Sequence, residues 1–514
     1  MTITRDLPGA EASAGSADVD GDAAPATAPT VAYLSPSLEG GRFDSRTWRM
    51  ARSARDRGWR VVVYARWLEG LPFEEIHDGI PVRRIPVEPY LAVPGLRSLG
   101  SRRIERLRVS MAPASEQTPS AREPEQMPAV TDGAPVALAA SATRGVARIA
   151  RALARGLRNR AVRLVARIVR RAVWGSPVWV RTPVIWMAWM RGLEERAEPV
   201  DVWHGMWIAS LPAVVRLRDR MGGAAIYDAR DVFFRSRGWP RVWRVPRAVL
   251  TTLERRWARQ CDEVLTVSEA YASMLTEDLG IPKPTVVMNC PARYDPPRPP
   301  PQLIRERLGI PESTAVVLYE GGLLTERGIE QSMDAIVDVP GACLVLMGYG
   351  SLRDHLVEQV QREPYRGRVF LLDPVPPSDL LSWVASSDVM VMLYQPNTDN
   401  HRHVTPQKLF ESLAAGVPVV ASDLPGMRAI VTESRCGVVC DPTSPEAIAR
   451  SIRSLLDQGP AEREAARARC LAAAHQRYNW ESQVDALFGA YRGLVGARAG
   501  AREGGAAPRP SARP

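Results

Sequence analysis

A chain of 514 residues exceeds one ordinary domain, and its 45% hydrophobic and 24% charged content falls within the range of globular proteins. It contains no run of about eighteen uncharged apolar residues, so the sequence predicts no membrane-spanning helix. Residues 1–29, with neither a basic n-region nor an apolar h-region, read as a disordered tail and imply a cytoplasmic protein. The six cysteines are scattered, with only Cys436 and Cys440 close together, which excludes a disulfide scaffold or a paired zinc knuckle and predicts free thiols. A net charge of +10 asks for an anionic partner, and the position of the charge decides which kind.

From Thr30 the pattern is strand, loop, helix, strand: Val31 to Leu34, a glycine loop, Arg46 to Arg57, then Trp59 to Ala65, with Gly58 where a helix-ending glycine belongs. Apolar β-rich runs recur at Ala224 to Tyr227, Glu263 to Val267 and Thr285 to Met288, which predicts a mostly parallel sheet covered on both faces. The proline-rich stretch Cys290 to Gln302 tolerates neither helix nor central strand and marks a domain boundary. The same rhythm restarts at Ala315 to Tyr319 and continues through runs beginning at Ala342, Arg368, Val389, Val417 and Gly437. The expected organisation is an N-terminal domain over 30–295, a C-terminal domain over 303–478, a helix over 479–495 returning to the first domain, and a disordered tail over 496–514.

The segment 91–200 breaks this rhythm and is expected to be an insertion. Within it Arg144, Arg148, Arg151, Arg155 and Arg158 share one helical stripe, and Arg160, Arg163, Arg167, Arg170 and Arg171 form another after a phase break near Gly156. Trp174, Trp179, Trp186 and Trp189 follow in a stretch interrupted by Pro177, Arg181 and Pro183. Basic amphipathic helices over 144–190 flanked by tryptophans suit an anionic membrane surface, which would make the protein peripheral on the inner face of the cell membrane. They equally suit cover helices of the first domain. Arginine stripes also fit nucleic-acid phosphate, but no recognition module accompanies them, so nucleic acid is not expected as a partner.

The segment richest in chemistry is Thr405-Pro406-Gln407-Lys408-Leu409-Phe410-Glu411, followed by Gly416 and Val417-Pro418-Val419-Val420. Pro406 can open a helix, Lys408 and Glu411 lie one turn apart, and Gly416 closes the helix before a strand. A helix N-terminus at a cleft attracts anions, and a Glu in its second turn can accept hydrogen bonds from ribose hydroxyls, so the arrangement suits a nucleoside diphosphate.

This segment resembles the donor-binding motif of family 4 (group 1) retaining glycosyltransferases, which share the GT-B fold of two facing Rossmann-like domains. The resemblance runs from about Val31 to Leu494 outside the insertion. It implies a donor site formed by Pro406, Lys408, Leu409 and Glu411 together with Gly322 and Arg327 of the loop after Tyr319-Glu320-Gly321, Gly348 of a Gly-x-Gly turn, and Val375 of a loop that holds the base. Arg327 stands where the family commonly has Lys, and Gly322 where it commonly has Arg. The family's first donor-sugar glutamate falls on His403, so the loop carrying Asn400, His401 and His403 is expected at the sugar.

In the first domain the resemblance places Gly40, Gly41 and Arg46 at the phosphate and acceptor, His204 and Asp228 near the reacting carbon, and Arg230 and Asp231 at the acceptor cleft. The reaction so implied is transfer, with retention, from a nucleoside-diphosphate sugar to a glycan or polyprenyl-linked acceptor, with no cofactor and no metal. A nucleotide-sugar epimerase of the same fold, or a non-catalytic carbohydrate- or membrane-binding homologue, is the alternative.

Overall fold

In the computed structural model the described residues are 28–36, 44–87, 164, 178–236 and 244–503. The apolar runs form strands buried on both faces, as parallel sheets require. The first sheet contains β1 (Thr30–Ser35), β2 (Arg60–Arg66), β3 (Glu74–His77), β4 (Ile80–Ile85), β5 (Val202–Met206), β6 (Ala224–Ala229), β7 (Glu263–Thr266) and β8 (Thr285–Val286). Their order is β3-β4-β2-β1-β5-β6-β7-β8, and all neighbours pair in parallel except β3, which runs antiparallel to β4 at the edge. That hairpin is not evident in the sequence, because Glu74–His77 is short and polar and its pairing is set by the turn at Asp78-Gly79.

The second sheet contains β9 (Ala315–Gly322), β10 (Ala342–Tyr349), β11 (Val369–Leu372), β12 (Val389–Met392), β13 (Val419–Ser422) and β14 (Gly437–Cys440), wholly parallel in the order β11-β10-β9-β12-β13-β14. The direction of winding reverses between β9 and β12, as it does between β1 and β5 in the first sheet. In doubly wound sheets ligands enter at such reversals, outside the carboxyl ends of the strands.

A helix over Val178–Glu194 continues through Pro183 and places Trp186, Trp189, Met190 and Leu193 in the core of the first domain. Burying these side chains outweighs the roughly 3 kcal/mol that an interior proline costs. This corrects the expectation that Pro183 interrupts the segment and that Trp186 and Trp189 suit a membrane surface. Residues 88–163 and 165–177, which carry the arginine stripes and Trp174, lie outside the described residues. Among the described residues no helix is long and apolar enough to cross a membrane.

The stretch after β14 forms two helices, Pro445–Leu456 and Pro460–Gln476, separated where Gly459-Pro460 opens the second. The helix Trp480–Glu503 extends beyond the expected end at 495 and packs on the first sheet. Trp480, Val484, Leu487, Phe488 and Tyr491 share a core with Val31, Tyr33, Met50 and Val63.

Trp189 is 1% exposed. Trp189→Ala should therefore lower the stability of the first domain by about 3–5 kcal/mol in urea unfolding. Unchanged stability with weaker binding to anionic vesicles would instead give this tryptophan to a membrane.

Candidate functional site

Helix Gln407–Ala415 begins after Pro406, whose extended backbone makes it the cap, and ends at Gly416 in the left-handed region. Its first turn lies at the carboxyl ends of β9 and β12. Lys408 Nζ donates to the carbonyl of Glu320 and stands 4.1 Å from the Tyr319 ring centroid and 5.9 Å from that of Tyr394. The Arg327 guanidinium lies 4.1 Å from the Tyr394 centroid, so both cations lie within about 6 Å of one aromatic ring at the sheet's switch point. Among the described residues neither cation has a carboxylate as ion-pair partner. Burial works against the charge of Lys408, but the Tyr319 and Tyr394 oxygens and the Glu320 carboxylate outweigh it and hold the ammonium above its ordinary value.

One turn on, Glu411 accepts from Gln407 Nε2 at 2.6 Å. Glu411 and Glu320 are both buried, at 5% and 6% exposure. Burial first, then the neighbouring charge of Glu320, pushes Glu411 up to about 8. Gln407 also faces the first domain, its Oε1 accepting from Asn289 Nδ2 at 2.7 Å and from Ser45 Oγ at 3.3 Å. Arg49 donates in turn to Asn289 Oδ1 at 3.0 Å. Lys408 and Glu411 thus sit in the seam between the domains.

The glycines of this site have distinct reasons. A Cβ on Gly348 would fall 1.9 Å from the Gly321 carbonyl oxygen, so β9 and β10 close together only with glycine there. At Gly322 a Cβ would meet nothing nearer than the Leu324 side chain at 3.4 Å, so close backbone approach belongs to Gly348 and Gly321. Leu409 is fully buried in the core, a correction to its placement among donor contacts. Val375 lines a separate cavity of about 270 Å³ with Arg307, Arg353, Asp373 and Trp383, sharing no lining residue with Lys408 or Glu411.

The loop before the helix also differs from expectation. Asn400 Oδ1 accepts from Val232 N at 3.1 Å, its Nδ2 donates to Asp231 at 3.3 Å, and its carbonyl accepts from Tyr271 Oη at 2.9 Å. Asn400 is therefore a clasp between domains, not a side chain held free for a sugar. His401 packs its ring edge-on to Tyr394, and His403 Nδ1 lies 3.0 Å from the Asp399 carbonyl within its own turn.

In the first domain Arg46 turns inward. Its Nε and Nη2 grip Asp228 at 2.8 and 3.0 Å, and Nη1 donates to the Val287 carbonyl at 2.7 Å. At 1% exposure the guanidinium is consumed by the core, which corrects its assignment to the phosphate loop. Burial alone would push Asp228 up, but Arg46 outweighs it and holds the carboxyl far below the usual range. His204 is fully buried, with Nδ1 2.6 Å from Tyr491 Oη and Nε2 3.7 Å from Asp228 Oδ2, and burial pulls its pKa down. His204 and Asp228 therefore form a polar core cluster and present no surface to a reactant in this structure. Arg230 pairs with Asp44, which caps helix Ser45–Asp56. Gly40 and Gly41 lie outside the described residues.

Glu320, Tyr319, Tyr394 and Asn289 were missed as site residues. Glu320 carries a signal in the sequence, a carboxylate closing the otherwise apolar strand Ala315-Val-Val-Leu-Tyr319. Asn289 carries none, since only the tertiary fold brings it to Gln407.

Two doubly wound sheets, with Lys408 and Arg327 at the switch point of the second, define a two-domain α/β protein. Residues 302–474 match the family model of glycosyl transferases group 1. A D-inositol 3-phosphate glycosyltransferase of Xylanimonas cellulosilytica is 30% identical over 37% of this chain and 44% of its own length. A glycogen synthase of Mycobacterium tuberculosis is 27% identical over 45% of this chain and 54% of its own. The chain thus spans about half the length of these relatives.

Among solved structures, sucrose-phosphate synthase from Thermosynechococcus elongatus has a TM-score of 0.61 over 91% of this chain and all of its own, at 16% identity. Anabaena HepE in complex with UDP has a TM-score of 0.57 over 90% and 100%, at 15% identity. These likenesses show the fold, two facing Rossmann-like domains of the GT-B kind.

Arg46→Met should cost about 3–5 kcal/mol in chemical unfolding, because it leaves Asp228 buried and unpaired. Adding Asp228→Leu should return part of that loss. A double variant no more stable than the single one would show that the ion pair is not the source.

Proposed function

We propose that the protein is a retaining glycosyltransferase that moves a sugar from a nucleoside-diphosphate sugar to a glycan or lipid-linked acceptor. The observation that carries this reading is the pair of cations Lys408 and Arg327 flanking Tyr394 at the N-terminus of helix Gln407–Ala415, with Glu411 one turn away. Two cations and a helix N-terminus are what a departing diphosphate needs, since they stabilise charge that develops on the leaving oxygen. Glu411 offers acceptor oxygens for ribose hydroxyls. The likeness to a UDP-bound neighbour and to a family named for glycosyl transfer supports the donor class. Retention rests on the resemblance of the 405–411 segment to retaining enzymes.

The acceptor is placed at the inner face of the membrane because of the arginine stripes between Arg144 and Arg171, whose charge complements anionic lipid. The buried ion pair Arg46–Asp228 and His204 serve this reaction by fixing helix Ser45–Asp56, whose residues Ser45 and Arg49 line the seam opposite Glu411.

Incubation with a panel of nucleoside-diphosphate sugars should release nucleoside diphosphate only when acceptor membranes are added. Interconversion of the donor sugar without acceptor would identify an epimerase, and donor binding without turnover a non-catalytic homologue. Lys408→Ala should lower kcat/KM by about 10²–10³. A loss under threefold would remove Lys408 from the diphosphate site.

A further inference from the structure

Residues 400–407 lead into the donor helix and are tied to the first domain at both ends. At the start Asn400, 7% exposed, makes three hydrogen bonds across the seam. Its side chain meets Val232 N at 3.1 Å and Asp231 at 3.3 Å, both in the loop after β6, and its carbonyl accepts from Tyr271 of helix Glu269–Leu279 at 2.9 Å. At the end Gln407 meets Asn289 and Ser45. A buried amide bonded through its oxygen, its nitrogen and its backbone carbonyl has one seating, since a displacement leaves polar groups desolvated and unpaired.

The tie continues past Asn400. Thr398 Oγ1 accepts from His401 N at 3.1 Å and caps the single turn Asp399–Arg402, which fixes Asn400 and His401 to one another. The His401 ring stands edge-on to Tyr394 with 5.8 Å between centroids, and Tyr394 is the ring that Arg327 and Lys408 share. The loop after β6, Asn400, His401, Tyr394 and the two cations therefore form one run of contacts from the first domain into the second.

We propose that Asn400 is a positioning residue: by seating Asp399–Arg402 on the loop after β6, it holds Tyr394, and with it Arg327 and Lys408, in the arrangement that takes a nucleoside diphosphate. The proposal rests on the donor-site reading above. Donor affinity then depends on where the first domain sits, and whatever moves residues 231–232, a bound acceptor included, acts on the diphosphate site as well.

Three variants separate the positioning from charge and from folding. Asn400→Asp sets two carboxylates against each other at the 3.3 Å contact, and Asn400→Leu removes both side-chain bonds without a change of charge. Asn400→Asp combined with Asp231→Asn restores a donor and an acceptor in exchanged places. In calorimetric titration of the full chain with UDP, each single variant is expected to bind about tenfold more weakly, and the double variant within about threefold of the wild type. Single variants within about twofold of the wild type, or a double variant no tighter than Asn400→Asp, would overturn the proposal.

Backbone hydrogen exchange without ligand judges the positioning apart from the donor. Residues 393–411 are expected to exchange faster in Asn400→Asp and Asn400→Leu and at the wild-type rate in the double variant, while helix Pro445–Leu456 stays unchanged in all. Equal exchange of residues 393–411 in the four proteins would refute the positioning, and a matching rise in Pro445–Leu456 would reduce it to lost stability. A wild type that binds no UDP, with the exchange pattern as expected, would instead remove the donor-site reading and leave the positioning standing.

Discussion

Taking charge out of water governs the centre of this molecule. Where the two domains face each other, Arg46, Asp228, Lys408, Glu320 and Glu411 are all nearly inaccessible to solvent. An isolated ion in such a place is costly, so partners surround them: Arg46 meets Asp228 in a two-pronged contact, Lys408 meets two aromatic faces and a carbonyl, and Glu411 meets an amide. The matching differs between the two halves. In the first domain opposite charges neutralise each other, and the result is a rigid anchor for helix Ser45–Asp56. In the second domain Lys408 and Arg327 lie against aromatic rings, and among the described residues no ion pair neutralises them.

That division explains which parts of the site the sequence exposes. Helix Gln407–Ala415 is legible because its signals are local: a proline at the cap, a lysine and a glutamate one turn apart, and a glycine that accepts the left-handed C-cap. Arg327 is legible for the same reason. Arg46 is not, since a basic residue in the first turn of a helix after a glycine loop looks like an anion contact. Only the placement of β6 and β8 beside that helix shows that Asp228 and the Val287 carbonyl take the guanidinium instead. His204 is masked likewise, because Tyr491, which meets it, is 287 residues away along the chain.

The fold was easier to read than the site. Strands buried on both faces keep an unbroken apolar signature, and all six strands of the second sheet carry it. The features that escaped lack such a signature. They are the polar edge hairpin β3–β4, the division of the helical stretch at Gly459-Pro460, and a helix that tolerates Pro183 because its far end buries two tryptophans. In each of these tertiary packing or a turn overrides local propensity.

The helix Trp480–Glu503 has a consequence for how the protein is made. It completes the core of the first domain, yet it is synthesised after the whole of the second. Until it emerges from the ribosome, Tyr33, Met50 and Val63 have no cover on that side, and His204 has no hydroxyl for its Nδ1. The N-terminal half therefore waits, partly unfinished, while the C-terminal half assembles, and the two domains reach maturity in the reverse of the order in which they are translated.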